Sequence, residues 1–163
     1  MSRSPLIALA ALLLTVPAVP ASAAAQGASI PSPTAILGWA PGTDRKLPEW
    51  RQVTAYFQAI DKASPRVQLH VLGKTTLGRP FLAVFFSDSA TLANLEHYRQ
   101  MQRRLMDPRL RRAGELASLI AQGKNIVMIT SSIHSTEVGG ILTPMVLADR
   151  LARGDKPDDR PIR

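Results

Sequence analysis

His134 and Glu137 are the two side chains whose types and spacing could do chemistry. They stand three apart in the stretch Ile129-Thr130-Ser131-Ser132-Ile133-His134-Ser135-Thr136-Glu137-Val138-Gly139-Gly140. An imidazole nitrogen and a carboxylate oxygen are normal donors of a zinc site built from nitrogen and oxygen ligands. On a turn between a strand and a helix, a three-residue step can bring both to one point. A bare His-x-x-Glu match arises by chance in many chains, and a surface His beside a helix-starting Glu is the simpler account. A carboxylate at a helix N-terminus is favourable through the helix dipole alone.

The elements that must position the pair follow from hydrophobic patterning. Just upstream, Asn125 to Thr130 contains Ile126, Val127, Met128 and Ile129. A short β-branched apolar run of this kind predicts a strand buried on both faces of a sheet. In open α/β sheets, ligands collect at the carboxyl ends of such strands. Downstream, an apolar helical pattern contains Pro144. An interior proline removes one backbone hydrogen bond and costs about 3 kcal/mol. Two readings therefore stay open: a helix that runs through Pro144, or one that starts there with Thr143 as its cap and leaves Glu137 on a loop.

Further upstream, Trp50, Val53, Phe57 and Ile60 form one apolar stripe and predict a helix over Pro48 to Ala63, with Pro48 at its first position and Ser64-Pro65 as its stop. Val67 to Leu72 and Phe81 to Phe86 flank a Gly-containing connection and predict an antiparallel hairpin, with Pro80 at a strand start or on an unpaired edge. Thr91 to Gly123 predicts two helices broken at Asp107-Pro108, the second with Leu116, Leu119 and Ile120 as its apolar side. Gln26 to Pro48, rich in Pro, Gly, Ser and Ala, predicts an irregular linker in which Leu37, Trp39 and Leu47 can pack. The order of elements predicts the α/β class: an incomplete α/β/α sandwich with a mixed sheet and an antiparallel N-terminal hairpin.

The chain has 163 residues, 45% hydrophobic and 20% charged. Such a composition can bury a core and does not suit a disordered chain. There is no cysteine, which excludes disulfides, thiol nucleophiles and thiolate metal sites. Arg3, the apolar run Leu6 to Val16 and the small residues Ala21-Ser22-Ala23 predict a signal peptide over residues 1–23, with Ala25 as a competing cleavage site. Pro17 and Pro20 cut that run well below the ~20 residues a membrane span needs. The expected organisation is a leader (1–23), a linker (24–47) and one domain (48–163), exported to the periplasm or cell exterior and not inserted in the membrane after cleavage. The formal net charge is +8, and six arginines between Arg99 and Arg112 face one acid, Asp107. Tyr98 is the one aromatic residue beside them, so a nucleic-acid partner is not expected. A solvated helical face is the simplest reading of the cluster. A non-catalytic exported module that binds anionic surfaces is the rival it supports.

Two motifs carry a resemblance. His134-Ser135-Thr136-Glu137, after Ile126 to Ile129, resembles the first zinc motif of the carboxypeptidase A type of zinc metallopeptidases. Leu72-Gly73-Lys74-Thr75-Thr76-Leu77-Gly78-Arg79-Pro80-Phe81 is similar to that family's Gly-x-(Ser/Thr)-x-x-Gly-Arg-Pro hairpin. The helix from Trp50 to Ile60 sits where the family places its first helix, and the resemblance covers Thr43 to Gly154. Two motifs in the family's order are far more specific than either alone. The resemblance implies zinc as cofactor, with His134 binding through a ring nitrogen and Glu137 through its carboxylate, and a peptide or protein as substrate, cut at its C-terminus. It also implies that the third ligand, a His, and the family's substrate-binding Arg, catalytic Glu and Tyr come later than this chain reaches. The chain is then expected to hold only the first zinc motif and to be inactive alone. Amidohydrolases of N-acyl amino acids share the fold and a similar His-x-x-Glu pair, and remain an alternative. The pattern puts no ligand at His70 or His97, which are read as a cross-strand surface residue and a helix-face residue. The stretch Thr91 to Gly123 is longer than in digestive members of the family, and Pro144 is a second departure.

Overall fold

The computed structural model describes residues 29–134 and 136–154. The predicted leader lies outside the described residues. The elements run α1 (Pro33–Leu37), α2 (Trp50–Ala63), β1 (Val67–Lys74), β2 (Pro80–Phe86), α3 (Ser89–Ala93), α4 (Leu95–Met106), a 3-10 turn (Pro108–Leu110), α5 (Leu116–Gln122) and α6 (Val138–Arg153). Helices packed on a sheet give the α/β character expected. Among the described residues the sheet has two strands, β1 and β2, paired antiparallel from Val67 opposite Phe86 to Lys74 opposite Pro80, with a bulge between Val71 and Gly73. Pro80 opens its strand, where its missing N–H costs little. The connection closes because Gly78 adopts φ +73°, a left-handed conformation that glycine takes without a Cβ clash, and donates to the Thr75 carbonyl at 2.8 Å.

The core lies where α2 and α6 meet over one face of the hairpin. From α2 it takes Val53, Phe57 and Ile60, buried as the apolar spacing predicts, together with buried Tyr56, which the stripe did not include; Trp50 is half-buried at its edge. From α6 it takes Leu142, Met145, Ala148 and Ala152, one stripe at steps of three and four. The alanines let the helices approach closely, so a few polar bonds can lock them. Tyr56 donates its hydroxyl to the Met145 carbonyl at 3.0 Å, and Ser64 donates to the Ala152 carbonyl at 3.3 Å. Arg66 donates to the Arg153 carbonyl at 3.0 Å. The last carbonyls of a helix have no partner within it, and here Ser64 and Arg66, just past the end of α2, supply donors and a positive charge. Asp61 joins α2 to the sheet by accepting the Leu69 N–H at 2.8 Å.

The structure corrects five expectations. The helix expected from Pro48 starts at Trp50, with Glu49 as its cap; the Glu49 N–H donates to the Gln52 side chain at 2.9 Å, a bond Pro48 could not make. The segment expected to be irregular contains α1, capped by Ser32 and held by buried Pro33 and Leu37, while Leu47 is exposed. The chain does break at Asp107-Pro108, but α3 precedes α4 as a separate short helix capped by Asp88. On α5, Leu119 alone of the three apolar residues is buried; Leu116 and Ile120 face solvent. The largest correction concerns Asn125 to Thr130, which forms no strand. Ile126, Val127, Met128 and Ile129 are 69%, 82%, 82% and 65% exposed. A strand exists only through hydrogen bonds to a neighbour, and β1 and β2, the strands of the described residues, pair with each other.

Candidate metal-binding turn

His134 and Glu137 lie on the turn that leads into α6. Glu137 is the N-cap residue of that helix, with φ −88° and ψ 76°. This decides between the two readings left open by Pro144: α6 is continuous from Val138 to Arg153 with Pro144 inside it, and Glu137 is fixed at its start. Pro144 lies four residues after Gly140, whose carbonyl therefore lacks the N–H that a residue other than proline would offer it. The turn is held by backbone bonds: Glu137 N–H to the His134 carbonyl at 3.2 Å, Val138 N–H to the Thr136 carbonyl at 3.1 Å, and Gly140 N–H to the Glu137 carbonyl at 2.9 Å. Ser132 enters it at φ +68°, a left-handed conformation uncommon outside glycine. Gly140 packs across the turn; a Cβ there would sit 3.6 Å from the Ser132 nitrogen and 3.7 Å from the Glu137 Cβ.

This backbone brings the two side chains together. His134 Nδ1 lies 2.9 Å from Glu137 Oε1, in hydrogen-bond contact. The side chains are 69% and 56% exposed, so the pair opens to solvent and to any incoming ion. The Glu137 carboxylate stands at the N-terminus of a sixteen-residue helix. Val138, the next residue, forms one wall of an open groove whose other side is the loop Gly42 to Leu47.

The donor chemistry suits zinc, since a ring nitrogen and a carboxylate oxygen are both proper ligands and no thiolate is needed. Ligands at about 2.0–2.1 Å on a tetrahedral ion stand about 3.3 Å apart, so the contact would open by a few tenths of an ångström around a metal. Such an adjustment is small for exposed side chains. The set is incomplete, however: among the described residues no three His, Asp or Glu side chains gather into a metal-binding group. His70 and His97 are elsewhere. His70 is exposed on β1 with its ring edge-on to Phe85 at 5.1 Å, and His97 is exposed on α4 beside Tyr98 at 5.4 Å. Both positions match the surface roles read from the sequence.

A family model described as zinc carboxypeptidase matches residues 53–160. The chain belongs to the zinc carboxypeptidase family. No curated protein and no solved structure matches it. The matched span of this zinc carboxypeptidase family member runs from the first turn of α2 through the hairpin and the His134–Glu137 turn to beyond α6. Both motifs that carry the resemblance therefore fall inside it. The family is one of zinc-dependent hydrolases.

Proposed function

We propose that His134 and Glu137 are two of the zinc ligands of a metallocarboxypeptidase that removes residues from the C-terminus of peptides, and that this chain holds the first part of that catalytic domain. The observation that carries the reading is the 2.9 Å approach of an imidazole and a carboxylate on a turn inside the family match. Glu137 contributes a carboxylate oxygen at the start of α6, and His134 contributes a ring nitrogen beside it. When bound, zinc in such a site polarises the scissile carbonyl and lowers the pKa of a water. The run Ile126 to Ile129, exposed here, is proposed as a strand of the larger mixed sheet of the complete α/β/α domain. Its uninterrupted apolar character supports this. The leader proposed for residues 1–23 implies export.

With two candidate ligands among the described residues, the site falls one short of the three that catalytic zinc sites use. It is therefore expected to bind zinc weakly and to show negligible turnover by itself. Calorimetric zinc titration at neutral pH tests the ligand set. His134→Ala and Glu137→Ala should each abolish the weak binding, while His70→Ala and His97→Ala leave it unchanged. An equal loss in His70→Ala would show that the ligands are other residues.

A further inference from the structure

The stretch from α3 through α5 gives no apolar side chain to the core. It packs on itself, through buried Met101 of α4 and buried Leu119 of α5, which line one small cavity together. Between those two residues in sequence, none is buried. The connection from the 3-10 turn to α5, residues 111–115, has no regular structure, and Arg112, Ala113 and Gly114 are exposed. Arg111 is already extended, with φ −93° and ψ 146°. The hydrogen bonds of the connection are local. Arg111 N–H donates to the Pro108 carbonyl at 3.2 Å, Glu115 N–H to the Arg112 carbonyl at 3.2 Å, and Arg112 N–H to the Glu115 carboxylate at 3.0 Å. The nearby acids are taken by other arginines: Asp107 by Arg109 at 2.8 Å, and Glu115 by Arg104. Opening such a segment breaks few contacts and costs far less than global unfolding. Exposed connections of this kind are where endopeptidases nick folded chains.

The chain's other basic residues are shielded in ways this pair is not. Those of α2, α4 and α6 lie within helical backbone, and Lys74 lies in β1. Arg79, Lys156 and Arg160 each precede a proline, a bond that arginine- and lysine-directed endopeptidases leave intact. The Arg66 guanidinium donates to the Arg153 carbonyl at 3.0 Å, and the Lys124 carbonyl accepts from Gln102 at 2.8 Å. Arg109 is bound to Asp107 through both its backbone N–H and its side chain. Arg45 and Lys46, in the exposed loop ahead of α2, are the rival site, but Arg45 is held at φ +57°, far from an extended strand.

We propose that the Arg111–Arg112 segment is a processing site for an endopeptidase of the trypsin type, whose acidic pocket takes an arginine, and that the cut chain stays assembled as two pieces. The protease's serine takes the arginine acyl group and water releases it. The net change at Arg112 is one water added, leaving a carboxylate on Arg112 and an amino group on Ala113. The pieces hold because α6, in the second, gives Leu142, Met145, Ala148 and Ala152 to a core built by the first. The Arg104–Glu115 pair and the bond from Gln102 to Lys124 also straddle the cut. None of this depends on zinc or on the hydrolase reading.

The test is brief digestion of the full chain with a trace of trypsin under native conditions, read by intact mass. The first internal cut is expected after Arg111 or Arg112. Both pieces should then elute together in size exclusion at the position of the uncut chain, with its circular dichroism. R111Q/R112Q should remove that cut and prolong the life of the intact chain by at least about tenfold, whereas K46Q should leave the rate unchanged. Both variants change side chains outside the core, and a native spectrum excludes misfolding as the cause. A first cut at Lys46 or any other basic residue, no internal cut at all, a native rate of digestion in R111Q/R112Q, or pieces that separate without denaturant would each overturn the proposal.

Discussion

Tyr56 is fully buried in the core, and its hydroxyl hydrogen bond crosses to α6. Burial first, and the Asp149 carboxylate second, push its pKa up from 10.0, because both penalise the phenolate. The sign follows. The folded state holds the proton more tightly than the unfolded chain, so the stabilisation is complete below pH ~10, where unfolded tyrosine is still neutral, and is lost as pH rises beyond it. Tyr56→Phe should cost about 1 kcal/mol at pH 7 and should flatten the decline that sets in above pH ~10, as read by urea unfolding at each pH. An undiminished decline in the variant would assign the alkaline sensitivity to other groups. This residue also marks a limit of reading a sequence. The His134–Glu137 pair was legible because a three-residue step is local. The bond from Tyr56 was not, since its acceptor lies 89 residues away and nothing near Tyr56 names it.

Among the elements, legibility follows the same division. The stripe Val53, Phe57, Ile60 is a property of one helix, and the structure buries it as expected. The apolar run Ile126 to Ile129 has the composition of a buried strand, yet its pairing depends on a partner elsewhere. In the chain as it stands, Val127→Lys should change stability by no more than about 0.5 kcal/mol and should raise solubility by interrupting an aggregation-prone segment. A loss of several kcal/mol in chemical denaturation would mean that Val127 is buried after all. Pro144 in α6 is the other element-scale case. Pro144→Ala restores an N–H toward the Gly140 carbonyl and is expected to stabilise the chain by about 1–3 kcal/mol. A destabilised variant would show that the helix needs the proline to present Leu142 and Met145 to the core.

At the scale of the whole molecule, one core joins segments far apart in sequence, and polar bonds close it at its rim. The α/β class was readable from the alternation of helix and strand patterns, whereas the short α1 was hidden by its Pro- and Ser-containing sequence. Arg153, at the end of α6, donates to the Ile30 carbonyl just ahead of α1 at 2.7 Å and also pairs with Asp149 at 2.9 Å. The first and last described elements therefore meet at one spot. That closure gives the backbone the connectivity of a ring with a removable seam. A circular permutant that bridges Gly154 to Ile30 with about five flexible residues and is reopened at Leu77, 77% exposed at the hairpin tip, should refold to the same helical content. A permutant that fails to fold would show that the β1–β2 turn must be intact before α2 and α6 can come together.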